Sequence, residues 1–154
     1  MDRRHRVKNK AHDRHNALLA SKAYQEFNRD AEELSDWIKE KYVTATDESW
    51  RDLTNLLPKL QKHQAFEAEL KANNDRLAVT NQIGEAMLAD RHYESETIAS
   101  TLQQLNSEWT ELSDKARDKG LKLRQAAQQV RACVQFIRAY FAVIVHIQCT
   151  CYYI

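Results

Sequence analysis

Glycine and proline are almost missing from this chain, at 2 and 1 in 154 residues. A sheet protein needs a tight turn every few residues, and tight turns draw heavily on glycine, so the count argues against any β fold. It excludes collagen-like and Pro/Gly-rich disordered classes. An excess of one charge is missing too, since 23 basic residues face 22 acidic ones. That balance argues against a generally basic nucleic-acid protein and against an acidic tail protein. The 3 cysteines all lie beyond position 130, so no disulfide framework is expected. No signal peptide is expected either, because Met1 leads into Asp2-Arg-Arg-His-Arg6 with no apolar run behind it. Ala, Leu, Glu, Lys, Arg and Gln are plentiful, and these residues lose least on entering a helix. The expectation is an all-α, reduced, cytosolic protein.

The chain reads as three parts. Residues 1–16 are basic, with a net charge of +4. Residues 17–129 mix both signs and are strongly periodic. Residues 130–154 carry only Arg131 and Arg138 as charges, hold every cysteine, and are dense in β-branched and aromatic side chains.

Apolar spacing in the middle part predicts three helices, at about 17–42, 52–89 and 94–129. The first carries Tyr24, Phe27, Ala31, Leu34 and Ile38, spaced 3, 4, 3, 4, with Trp37 widening the stripe. The second carries Leu53, Leu56, Leu57, Leu60, Phe66, Leu70, Leu77, Ile83, Met87 and Leu88. The third carries Ile98, Leu102, Leu105, Trp109, Leu112, Ala116, Leu123 and Ala126. An alternation held this long is a coiled-coil seam. The breaks, Val43–Ser49 and Asp90–Tyr93, are short and imply antiparallel neighbours. The predicted object is an antiparallel, left-handed three-helix coiled coil with a helical extension at its N-terminus. Pro58 falls near the start of the second helix, where its missing N–H costs least, so a kink or restart is expected there. Gly84 suggests a close helix approach and Gly120 a hinge.

Three segments then carry a resemblance. They are Tyr24-Gln-Glu-Phe-Asn-Arg-Asp-Ala-Glu-Glu-Leu-Ser-Asp-Trp-Ile-Lys-Glu-Lys41, Leu60-Gln-Lys-His-Gln-Ala-Phe-Glu-Ala-Glu-Leu70 and Leu102-Gln-Gln-Leu-Asn-Ser-Glu-Trp-Thr-Glu-Leu112. Over roughly residues 20–128 the chain resembles a spectrin repeat, with wording most similar to the α type. The resemblance implies that Trp37 and Trp109 pack into a three-helix core, where truncating Trp109 would cost roughly 3–5 kcal/mol. The core it implies comprises Phe27, Leu34, Trp37, Ile38, Leu60, Phe66, Leu70, Leu102, Leu105, Trp109 and Leu112. It implies a structural repeat of a membrane-skeleton rod at the cell cortex. Such a rod pairs side by side with a β-spectrin-like chain and meets actin indirectly. Residues 1–16 resemble the end of a preceding repeat's last helix, so the chain is expected to hold one repeat with a piece of linker on each side.

No cofactor, metal or catalytic set is expected. His63 has no convergent partner at i±4 beyond surface charge, and reads as a core or boundary histidine. His146, Cys149 and Cys151 have metal-like spacing, but a tetrahedral site needs a fourth ligand and Cys133 is far along the chain. The basic start lacks interleaved aromatics and reads as an exposed helix end, without nucleic acid as a partner. The tail from Val130 is apolar on nearly every face and too interrupted to span a bilayer. Lipid anchoring by this tail is the alternative function. Gln129-Val-Arg131 is also what an exon end running into a splice donor encodes, so residues 130–154 are expected to be intron read-through. Sequencing the transcript across codon 129 tests this.

Overall fold

The computed structural model describes the backbone of residues 3–151 and the side chains of residues 3–142. Three helices account for nearly all of it: α1 (Arg3–Thr46), α2 (Leu56–Ala89) and α3 (Ser95–Cys151). At 1.5 Å per residue, α2 is about 50 Å long and α3 about 85 Å. Cross-helix pairs give the directions. Ser35 meets Glu108 and Tyr42 meets Glu111, so α1 and α3 run parallel. Lys41 meets Glu69 and Arg76 meets Glu33, so α2 runs against α1. The Asn81 and Asn106 side chains exchange two hydrogen bonds, at 2.9 and 3.0 Å, between α2 and α3. The result is a three-helix bundle.

The core is stacked along the bundle axis. At one end Phe27, Ile98 and Leu102 cluster with Tyr24, Met87 and Leu88. The middle holds Ala31, Leu34, Ile38, Phe66, Leu70, Leu105 and Leu112 among others. At the far end Leu56, Leu123 and Ala126 cluster with Trp50, Leu60 and Val130. Trp37 and Trp109 are only half-buried. Their rings stack on each other at 6.1 Å against the flank of the middle cluster. Leu60 is likewise half-buried. All three pack against the core clusters from the margin. Bulky rings at the seam's margin cover the smaller residues that fill its centre.

Boundaries differ from the sequence reading for identifiable reasons. The expected N-terminal extension is helical: from Arg3, the first residue described, α1 runs to Thr46 without a break. It also passes through Val43 and Thr44 to Thr46, because Ala45 is buried at 3% exposure and Lys119 grips the Thr44 carbonyl. Tertiary contact overrides the weak propensity of β-branched residues. α2 begins at Leu56, not near 52. Asp52 accepts hydrogen bonds from the Thr54 N–H and hydroxyl, a local turn that competes with helix. Asn55 then sits in the left-handed region at φ 51°, and Leu56 opens the helix. Pro58 falls in that first turn. Leu53, Leu57 and Ile83, assigned to the apolar stripe, are exposed. α3 passes Gln129 without a break and continues to Cys151.

The α2–α3 connection is pinned to α1. The His92 Nε2–H donates to the Ala20 carbonyl at 3.2 Å, while its Nδ1 accepts from the Glu94 N–H. The ring stacks on Tyr24 at 5.5 Å. Close by, Gly84 is buried where α2 crosses the other two helices. A Cβ there would lie 2.9 Å from both Leu102 methyls and 3.0 Å from the Phe27 ring. Gly84→Ala gains about 1 kcal/mol of helix propensity but overpacks two buried side chains at about 1–3 kcal/mol. We expect net destabilisation, read as a lower urea midpoint at unchanged slope.

Candidate functional site

The seam holds the three helices together, and its composition is uneven. Along α3 it runs Ile98, Leu102, Leu105, Trp109, Leu112, Ala116, Lys119, Leu123, Ala126, Val130, alternating 4 and 3 throughout. Lys119 thus occupies a core position and is 7% exposed. Along α2 the buried positions are Leu56, His63, Phe66, Leu70, Leu77, Thr80 and Gly84. In α1 the spacing from Ile38 to Ala45 falls on Lys41, which is mostly buried. Lys41, His63 and Lys119 line one cleft of ≈ 510 Å³, with Phe66 and Leu123 as its apolar floor. One layer of the core is therefore polar and basic, with one residue from each helix.

Each base in this layer has an acidic neighbour at the rim. Lys41 Nζ is 2.8 Å from Glu69 and stands over the Trp37 ring. Lys119 Nζ donates to the Thr44 carbonyl at 2.6 Å and meets Asp47 Oδ2 at 2.7 Å. The Thr44 carbonyl belongs to the last turn of α1, whose final carbonyls have no partner within the helix. Lys119 thereby caps α1 from α3 and places a positive charge at the negative end of its dipole. His63 is more tightly enclosed, with a side chain 2% exposed. Its Nε2 lies 3.3 Å from Glu67 Oε1 but is out of line for a hydrogen bond and lacks any other partner among the described residues. Gly120 faces it. A Cβ on Gly120 would lie 2.6 Å from that nitrogen and 2.8 Å from Glu67 Oε1. Gly120 is thus no hinge: α3 is continuous there, and the missing side chain makes room for the imidazole.

Titration follows from these surroundings. Burial lowers the His63 pKa below 6.5; the positive charges of Lys119 and Arg124 add to this, while Glu67 and the Ala116 carbonyl oppose it. The fold favours the neutral ring, so this contribution is present above about pH 6.5 and lost as pH falls below it. The thermal midpoint should drop between about pH 7 and pH 5, and His63→Gln should remove most of that drop. An unchanged slope in the variant would assign the loss to other groups. Asp47 acts lower on the scale. Burial pushes its carboxyl up, but hydrogen bonds from Lys119 and Ser49 outweigh this and bring it to about 2. Its contribution is present above its unfolded pKa and lost as pH falls from about 4 through 2.

Among the described residues no group of three or more His, Cys, Asp or Glu side chains could hold a metal ion. His146, Cys149 and Cys151 lie outside the residues whose side chains are described. Lys41, Lys119 and Gly120 were missed by an apolar count, although the 3-4 spacing itself lands on both lysines.

The chain matches the Spectrin repeat family over residues 22–125. It is 34% identical over 126 residues to the erythrocytic spectrin alpha chain 1 of Mus musculus, covering 82% of this chain and 5% of that one. It is 36% identical over 124 residues to the non-erythrocytic spectrin beta chain 5 of Homo sapiens, covering 80% and 3%. It is 33% identical over 128 residues to the spectrin beta chain of Drosophila melanogaster, covering 83% and 6%. α and β chains thus match at nearly equal identity, and this chain spans only a few per cent of their length. The matched segment coincides with the bundle, from the turn before Tyr24 to the residue before Ala126, and the chain belongs to the spectrin repeat family.

Proposed function

We propose that this chain works as a mechanical unit of a cortical, cytoplasmic spectrin-type rod, supplying length and reversible extension. The observation that carries this is how the chain enters and leaves the bundle. α1 arrives as continuous helix at the Phe27–Ile98 end, and α3 leaves as continuous helix at the Leu56–Leu123 end. A pull on the two ends therefore loads the seam along its axis, in shear. Interdigitated side chains resist shear together, so the bundle opens as one unit.

In the intact rod, the exposed face pairs side by side with a β-spectrin-like chain, and actin is reached only through the rest of that assembly. The spectrin alpha and beta chains among the relatives support this reading. Membrane association of the rod is indirect, and direct only where the tail from Val130 itself binds lipid. The role is structural, not enzymatic, in keeping with the family.

Stretching the full chain between handles at residues 10 and 135 tests the proposal. Releasing roughly a hundred residues at about 3.4 Å each, less the folded length of about 50 Å, lengthens the chain by about 300 Å in a single step. Gradual lengthening with no step would contradict a unit that bears load cooperatively.

A further inference from the structure

Beyond the bundle α3 runs on as a lone helix, and every described side chain from Arg131 to Ala142 is exposed. At 100° per residue these side chains sort to two sides. Val130, Val134, Ile137 and Phe141 form one line, and Phe136 and Tyr140 widen it to an arc of roughly 160°. Arg131, Gln135 and Arg138 take the other side, among small alanines. The expectation of a segment apolar on nearly every face is therefore corrected over residues 130–142. Phe136 is 75% exposed and Phe141 62%.

The charge on this helix has one sign. No Asp or Glu follows Asp118 in the chain. Arg124, Arg131 and Arg138 recur every seven residues and line one edge of the apolar arc. Arg124 lies 3.5 Å from Glu67 on the bundle. Arg131 and Arg138 stand past the bundle's end, on a stretch of α3 with no acid of its own. A second copy is a poor cover for this face, because either orientation sets arginines against arginines with no carboxylate between them. The arc is also wider than the narrow seam that a coiled-coil partner covers, and aromatics dominate it. No helix among the described residues is long and apolar enough to cross a membrane.

We propose that residues 130–142 lie in the plane of an anionic lipid surface. Phe136, Ile137 and Phe141 enter the acyl boundary, and Arg131 and Arg138 lie among the negatively charged headgroups. An amphipathic helix with cations along its polar edge and aromatics on its apolar face binds such interfaces by buried area and charge together. The bundle, continuous with this helix through α3, is then held against the bilayer.

Flotation of the full chain with vesicles tests this, using phosphatidylcholine alone and with about 30% phosphatidylserine. The chain should float with the anionic vesicles and far less with the neutral ones. Removing two cations near an anionic surface, as Arg131→Gln with Arg138→Gln, should weaken binding about thirty-fold. Phe136→Ser with Phe141→Ser should abolish flotation, and both variants should keep the bundle's thermal midpoint. Three results would overturn the proposal. The intact chain stays unbound. Both variants float like the intact chain, which would assign the binding to the basic Arg3–Arg14 stretch. Or sedimentation shows self-association that the phenylalanine variant abolishes, which would make a second copy the occupant.

Discussion

Leu112→Ala is expected to lower the bundle's stability by about 2–5 kcal/mol, toward the upper end of that range. Leu112 is 0% exposed and lies in the middle cluster with Leu34, Leu70 and Ala116. Truncation there removes the transfer energy of the lost methyls and leaves a cavity that helices on three sides cannot close. Against a typical total of about 5–15 kcal/mol this is a large fraction. At about 4–8 °C per kcal/mol for a domain of this size, the thermal midpoint should fall by more than about 10 °C. Trp109→Ala should have the smaller effect, about 1–3 kcal/mol, although it deletes the larger side chain. Its ring is half-buried and stacked on Trp37 at the margin, where water replaces part of what is lost. A larger fall for Trp109→Ala than for Leu112→Ala would return the tryptophans to the centre of the core.

Gly120→Ala is expected to destabilise the bundle by about 1–3 kcal/mol, although alanine is the better helix former by about 1 kcal/mol. The added methyl would lie 2.6 Å from the buried His63 ring nitrogen and 2.8 Å from Glu67 Oε1, so both side chains must shift to admit it. His63→Ala should also destabilise, by emptying a core position. The two changes occupy the same space, so together they should be far less harmful than their sum. In a double-mutant cycle by urea denaturation, the coupling should exceed about 1 kcal/mol. Additive effects would mean that Gly120 does not seat His63, and the hinge reading would return.

The bundle was legible in the sequence wherever the seam was apolar. α3 alternates 4 and 3 through Ile98, Leu102, Leu105 and Leu112, and no competing period fits. α2 was harder, because its seam at seven-residue steps from Leu56 includes His63 and Gly84, with Thr80 between Leu77 and Gly84. An apolar count skips these and picks up Leu57 and Ile83, which face water. The polar layer was hidden for the same reason. Lysine is a surface residue by default, and only the Asp47 and Thr44 partners across the bundle make Lys119 a core one. The end of α1 was misplaced because its cap is a side chain from another helix, 75 residues away in sequence. The tail was misread because a list of apolar residues lacks the angular order that a helix imposes on Val134, Ile137, Arg131 and Arg138.

Native-state hydrogen exchange of the full chain tests most directly whether one cooperative three-helix unit lies between two helical extensions. Amides around Leu34, Leu70 and Leu105 should show one common, global opening free energy, and those near Ile98 and Leu123 should approach it. Amides before Leu18 and after Val134 should exchange orders of magnitude faster, because every side chain described on those turns is exposed and an isolated helix is marginal in water. Protection after Val134 equal to that around Leu105 would contradict the account, as would two separate opening energies for the two ends of the bundle.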